Sequence, residues 1–186
     1  GEDAFTFDEL VDPNTKDFRT LMTRLQDAEF DVFVANGQFP ATIASMLQQM
    51  RELGVDQLAI SHDVGDTKET IELALEAAEG FQVINVNSIS SDTPFGQFLK
   101  SNGIEAQAGE VFIGQGYDAM GVLADGITSV GTDGAALRDY LYDLSEYSGV
   151  IGNFSFDDNG DVEGLNYALK EVQNGEFVKV KDIPVN

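Results

Sequence analysis

Apolar residues recur along the first 85 positions in two alternating rhythms, one with the short period of strands and one with the period of helices. Ala4 to Phe7 reads as a first strand. From Asp17 onward Phe18, Leu21, Met22, Leu25 and Ala28 fall at helical spacing, and Asp31 to Ala35 (DVFVA) follows as a short buried strand. Ile43, Met46, Leu47 and Met50 mark the next helix, with Gly54 placed to cap its end. The unit then repeats. Gln57 to Ser61 is strand-like, Asp66 and Glu69 have capping-box spacing, and Ile71, Ala74, Leu75 and Ala78 form a stripe before Gly80. Phe81 to Val86 is the last strand of the series. Parallel neighbours need a crossover, usually a helix, so this alternation predicts an α/β fold: a parallel sheet flanked by helices on both faces.

After residue 88 the alternation stops. Asn87 to Asp92 shifts in composition, and Phe95 to Asn102, Tyr117 to Val130 and Ala135 to Leu144 read as consecutive helices. Strands return where Phe154 and Phe156 flank Ser155, Asn159-Gly160 supplies a turn, and Leu165, Tyr167 and Leu169 alternate with polar neighbours. A second turn at Asn174-Gly175 leads into Phe177 to Val180. Phe18, Met22, Met46, Met50, Tyr117 and Met120 lie at helical spacing and count as core.

Charge narrows the partners. Thirty-three acidic against ten basic residues give a formal charge of −23, which repels phosphate backbones and anionic lipid, so nucleic acid is not an expected partner. Solubility, including in a saline habitat, accounts for this acidity without a cation site. The chain has no cysteine, which removes disulfides, thiolate nucleophiles and cysteine-based metal sites. No apolar run approaches the length of a membrane span and no signal peptide is present, as expected of a soluble or already processed chain.

In open parallel sheets ligands bind beyond the carboxyl ends of the strands. The loop after Ala35 holds Asn36-Gly37-Gln38-Phe39-Pro40, which combines an amide, an aromatic face and a rigid turn: either one wall of a small-molecule site or an ordinary βα turn. The loop after Ser61 holds His62-Asp63, where Asp63 either receives a ligand ammonium or caps the next turn. His62, the single histidine, has no nucleophile or second histidine near it in sequence and is read as a solvated loop residue. Gly114-Gln115-Gly116-Tyr117-Asp118-Ala119 fits a relaxed dinucleotide fingerprint, but the strand before it is at most Val111 to Ile113 and no acid-terminated strand follows. Asp157 to Asp161 begins like a calcium loop yet carries Val162 where glycine is required and Ala168 where glutamate is required, so a hairpin turn explains it better. No catalytic residue, cofactor or metal is assigned, and an enzyme is not expected.

The run Gly149 to Asp161 (GVIGNFSFDDNGD), continuing into Asn166 to Val180 (NYALKEVQNGEFVKV) and preceded by Tyr117-Asp118-Ala119, resembles the closing part of type I periplasmic binding proteins, the branched-chain amino acid receptors of ABC importers. Asp17-Phe18-Arg19 to Arg24-Leu25, Asp31 to Phe33, Gln49 to Gly54 and Ala78-Glu79-Gly80 follow the same family in order and spacing, so the chain resembles its C-terminal half. The resemblance implies two α/β lobes that close on a ligand. Residues 1 to 84 and 165 to 186 would form the second lobe and 88 to 162 part of the first, with crossings near 85 to 88 and 162 to 165. It implies a solute-binding component that captures an amino acid or similar small polar metabolite, or alternatively a ligand-sensing regulatory domain of the same fold. An enzyme of flavodoxin or Rossmann type rests only on Gly114 to Ala119. Gln38 or Phe39 would contact the ligand side chain, Asp63 its amino group, and Phe112 an apolar wall. Asp63 stands where the family more often has Glu, which shortens its reach.

The implied partners are an ABC permease and the missing N-terminal half of the fold, and the implied location is periplasmic or extracellular, secreted or lipid-anchored in full-length form. Helices between residues 95 and 144 would expose a face meant for that half. The isolated chain is therefore expected to self-associate or melt with little cooperativity in sedimentation and calorimetry; a monodisperse monomer with a sharp transition is the contrary result.

Overall fold

The computed structural model describes residues 5–87, 89, 91–104 and 110–184. The chain divides into two compact units, one comprising residues 1–85 and 169–181, the other residues 86–168 and 182–186.

In the first unit, helix α1 (Arg19–Gln26) precedes strand β1 (Val32–Val34), helix α2 (Pro40–Glu52), strand β2 (Leu58–Ser61), helix α3 (Lys68–Ala74) and strand β3 (Gln82–Val86). Val32 to Val34 pair in parallel with Leu58 to Ile60, and Ile60 and Ser61 with Gln82 and Val83. Two later strands, β7 (Tyr167–Gln173) and β8 (Glu176–Ile183), extend the sheet to the order β1-β2-β3-β7-β8. β7 runs against β3, since Val172 exchanges hydrogen bonds with Gly80 and Phe81. Asn174 (φ 56°) and Gly175 (φ 77°) make the two-residue turn into β8, the left-handed pair that a primed hairpin turn requires.

Phe18, Met22 and Leu25 of the α1 region, Ile43, Met46, Leu47 and Met50 of α2, Ala74 and Ala78 from the α3 region, and Ala59, Phe81, Val83 and Val172 form one apolar cluster. α2 ends where Gly54 (φ 72°) lets its own N–H reach Arg51 O and that of Val55 reach Met50 O, both at 3.0 Å.

Four expectations need correction here. Residues 5 to 7 are irregular rather than a strand, and Ala4 lies outside the described residues. The expected helices on both faces are found on one: β1, β2 and β3 are spatial as well as sequential neighbours, and successive right-handed crossovers between strands in that order bring both helices to the same side. Val32, Val34, Leu58 and Ile84 on the other face remain exposed. Asp66 does not cap α3; Thr67 does, its hydroxyl accepting from Thr70 N at 3.2 Å. α3 then stops at Ala74, and Leu75, at φ 55° and 68% exposed, leaves the apolar stripe for a 3-10 turn.

The second unit contains helices α4 (Pro94–Ser101), α5 (Glu110–Val130) and α6 (Gly134–Tyr142), and a small antiparallel sheet of β4 (Tyr147–Ser148), β5 (Asn153–Phe156) and β6 (Val162–Glu163). Val111, Gly114, Asp118, Val122 and Gly126 form the buried row of α5. Val111 and Val122 join Val86, Phe154 and Leu165 in this unit's core. Tyr117 and Met120, read from sequence as core, are 58% and 66% exposed, on a row with Leu123, Ile127 and Val130. Helical spacing marks the two faces alike; the buried face is the one whose glycines admit neighbours.

Val111 to Ile113 is helix, and Gly114 and Gly116 sit inside α5, so the GxGxxA pattern lacks the strand-to-helix turn a dinucleotide needs. A Cβ on Gly114 would stand 2.5 Å from Ile89 Cδ1 and 2.6 Å from Ile151 Cγ2, whereas one on Gly116 would meet nothing within 4 Å. Close packing therefore explains the first glycine. Gly114→Val is expected to cost about 2–3 kcal/mol by overpacking, and Gly116→Ala to add about 1 kcal/mol through helix propensity, both read by denaturant unfolding. A neutral Gly114→Val would overturn the packing account.

Candidate functional site

The carboxyl ends of β1 and β2 are adjacent because the strands are parallel and in register. Their loops therefore open at the same edge of the sheet. Ala35 is fully buried, its N–H donating to Ile60 O at 2.8 Å, and the chain then rises through Asn36 and Gly37 to Gln38 and Phe39. Phe39 has extended backbone angles, and its carbonyl accepts from Thr42 and Ile43. With Pro40 fixed at the first turn of α2, the Gln38 and Phe39 side chains are left exposed, Phe39 at 60%.

The second loop begins at Ser61, whose buried hydroxyl donates to Ala35 O at 2.6 Å and ties the two strand ends together. His62 and Asp63 follow. Nδ1 of His62 lies 2.7 Å from Asp63 Oδ1, and Val64 N–H donates to the same oxygen at 2.9 Å. Nε2 of His62 is buried without a partner among the described residues. The Asp63 side chain remains 44% exposed. Both of its bonds converge on one oxygen, which suits a carboxylate held in a fixed orientation.

Beneath this loop lies a charged group that the sequence reading missed. Asp66 Oδ2 accepts from Lys170 Nζ at 2.6 Å and from Asn85 Nδ2 at 2.9 Å. The Lys170 and Asp66 side chains are only 11% and 7% exposed. The alternation of Leu165, Tyr167 and Leu169 puts Lys170 on the polar side of β7, whereas Ala168, Lys170 and Val172 occupy its buried positions, and a lysine in such a row demands a partner. Asp66 was visible as an acid at a loop end, but local spacing assigned it to the helix cap.

Phe112 belongs to the second unit, on α5, and is 36% exposed. The strongest polar feature of that unit is Asp118. Its carboxylate is 2% exposed and accepts from Val150 N at 2.8 Å and Ile151 N at 3.0 Å. A side chain on Gly149 would collide with it. The Tyr117-Asp118-Ala119 and Gly149-Val150-Ile151 segments are thus the two halves of one packing lock. Burial first, then the Asp125 and Asp118 carboxylates, raises the Tyr147 hydroxyl above its ordinary value and keeps it protonated. In the turn that begins like a calcium loop, Asp157 accepts from Asn159 N at 2.9 Å and Asp161 N at 2.8 Å. These bonds, that of Asp161 foremost, hold its carboxyl below the usual range. Among the described residues no cluster of His, Cys, Asp or Glu is arranged to hold a metal ion.

A family model described as periplasmic binding protein matches residues 5–176. The chain is similar to a Leu/Ile/Val-binding protein of Rhizobium johnstonii, 24% identical over 90% of this chain and 46% of the relative. It is also similar to a Leu/Ile/Val-binding protein of Escherichia coli, 25% identical over 83% of this chain and 41% of the relative. The crystal structure of a leucine-binding protein from Thermotoga maritima superposes with a TM-score of 0.79 at 25% identity, over 92% of this chain and 49% of that one. The chain thus spans about half the length of the curated relatives it matches.

Ser61→Ala is expected to cost about 1 kcal/mol, the contribution of one buried hydrogen bond, while Asp63→Ala, at a half-exposed position, should cost less than about 1 kcal/mol. Denaturant unfolding of the two variants measures both. A larger loss for Asp63→Ala would assign that carboxylate to the loop's own stability.

Proposed function

The chain belongs to the periplasmic binding protein family, and on that footing we propose that it forms part of the substrate-binding component of an ABC importer, capturing an amino acid or similar small polar metabolite by lobe closure. The carrying observation is the arrangement at the strand ends. Asp63 offers a half-exposed carboxylate held through one oxygen, on the loop beside the one that presents Gln38 and Phe39. A carboxylate of this kind suits a ligand ammonium through a charge-assisted bond. Phe39 supplies apolar surface and Gln38 an adaptable amide, and Phe112 is proposed as an apolar ligand contact on the second unit. In this reading the first unit belongs to the second lobe of the family fold, and the helices and small sheet of the second unit belong to the first lobe.

The names of the relatives, Leu/Ile/Val-binding proteins, support amino acids as the ligand class to test first. The same reading makes an ABC permease the membrane partner and places the protein in the periplasm or outside the cell. It also gives a role to the two apolar rows: Val32, Val34, Leu58 and Ile84 on the sheet, and Tyr117, Met120, Leu123, Ile127 and Val130 on α5. These are proposed as surfaces that the rest of a family-length fold covers, because the chain accounts for under half of its relatives' length.

The test is a thermal-shift screen of the chain, alone and with the complementary N-terminal half, against leucine, isoleucine, valine, amides and small carboxylates. A ligand that binds only the native state raises the melting temperature by mass action. An amino acid is expected to shift the mixture, and Asp63→Ala to weaken binding about ten- to a hundredfold. A folded mixture that responds to none of these compounds overturns the reading.

A further inference from the structure

The Asp66 carboxylate is placed where the chain enters and leaves the first unit. Asn85 is the last residue of that unit before the chain departs, and Lys170 is the second residue after it returns at Leu169. Both side chains donate to the same oxygen of Asp66, at 2.9 Å and 2.6 Å. Asp66 in turn ends the 3-10 turn that carries Asp63: its own N–H donates to Asp63 O at 3.0 Å, and the N–H of Gly65 to His62 O at 2.9 Å. The short path from Asp63 to Asp66 is therefore pinned at its far end by two residues distant in sequence.

We propose that Lys170 and Asn85 are positioning residues for the proposed ligand loop, acting through Asp66 to fix the turn on which the Asp63 carboxylate stands. This rests on the functional reading above. Two physical points favour positioning over simple stabilisation. A buried ion pair is weak evidence for net stability, since desolvation offsets much of the attraction, yet it fixes geometry strongly because a misplaced partner leaves a buried charge unpaired. In addition, the pair joins a loop to strands rather than one strand to another. β3 and β7 already have their own backbone ladder, as the bonds of Val172 with Gly80 and Phe81 show. The element that gains a constraint from Lys170 is the loop.

Stability and positioning separate in the double variant Asp66→Asn/Lys170→Met. It removes both buried charges together, keeps an acceptor for Asn85 and preserves approximate volume. Lys170→Met alone leaves the Asp66 charge unpaired and is expected to lower the melting temperature, whereas the double variant should recover most of that loss. If the pair positions the loop, backbone amide exchange at Val64, Gly65 and Asp66 in the double variant should still run at least about tenfold faster than in the parent, with α2 amides unchanged. In the full-length protein, leucine binding by calorimetry should weaken at least about tenfold despite the recovered stability.

Parental exchange in the loop of a folded double variant would overturn the proposal and leave the pair as a fold stabiliser only. Faster exchange with unchanged leucine affinity would overturn the link to binding. Asn85→Ser, which withdraws one donor without exposing a buried charge, gives the same readout should the double variant fail to fold: a smaller acceleration confined to the loop supports the proposal, and none overturns it. If the parent binds none of the amino acids, amides and small carboxylates screened above, the functional reading fails by itself, while the exchange data still decide whether Lys170 and Asn85 hold the turn.

Discussion

Parallel pairing of β1, β2 and β3 is the constraint from which the rest of the first unit follows. It forces each connection to return along the sheet, and chirality then sends both crossover helices to the same face. It also aligns the three carboxyl ends along one edge, where every intervening loop must open. The Ser61 hydroxyl bond to Ala35 O and the Asp66 bonds to Lys170 and Asn85 lie along or beneath this edge. The Ser61 hydroxyl and the Asp66 carboxylate are tolerated there because each has a partner, while Ala59, Phe81 and Val83 belong to the apolar cluster of the sheet.

The second unit is organised by close approach instead. Its longest helix carries Gly114, Gly121 and Gly126 on or beside the buried row, where Ile89 and Ile151, the Tyr147 hydroxyl, and Leu137 with Tyr140 come against the backbone. Asp118 occupies a further place in the row and binds two successive backbone N–H groups of the segment before β5. One face of α5 is thus fixed by backbone contact and a buried carboxylate, and the other is a row of large apolar side chains open to solvent.

Much of this architecture was legible in the sequence where local signals and burial agree. Gly54 ends α2, Asn174-Gly175 turns the hairpin, and Met22, Met46 and Met50 lie in the core as their spacing implies. Legibility failed where the deciding partner is distant. Asp66 has the local spacing of a cap, and only Lys170, 104 positions away, shows what its carboxylate does. Tyr117 and Met120 fit a helical apolar pattern, but the pattern does not say which of two faces a particular sheet will cover. Leu75 completes a stripe on paper, yet its left-handed backbone turns it out of the core. At the candidate site, strand-end reasoning led to Gln38, Phe39 and Asp63, whereas Ser61 and Lys170, which hold the surroundings in place, have no motif to mark them.

The hairpin between β7 and β8 has a chemical side. Asn174-Gly175 is the residue pair in which a following N–H is least hindered from attacking the side-chain amide, and both residues are exposed. Ring opening of the resulting succinimide yields isoaspartate, which inserts a methylene into the main chain and adds one more negative charge to a protein already at −23. A two-residue turn has no slack to absorb that extra atom. Deamidation at Asn174 would therefore act on the segment that sets the register of β8.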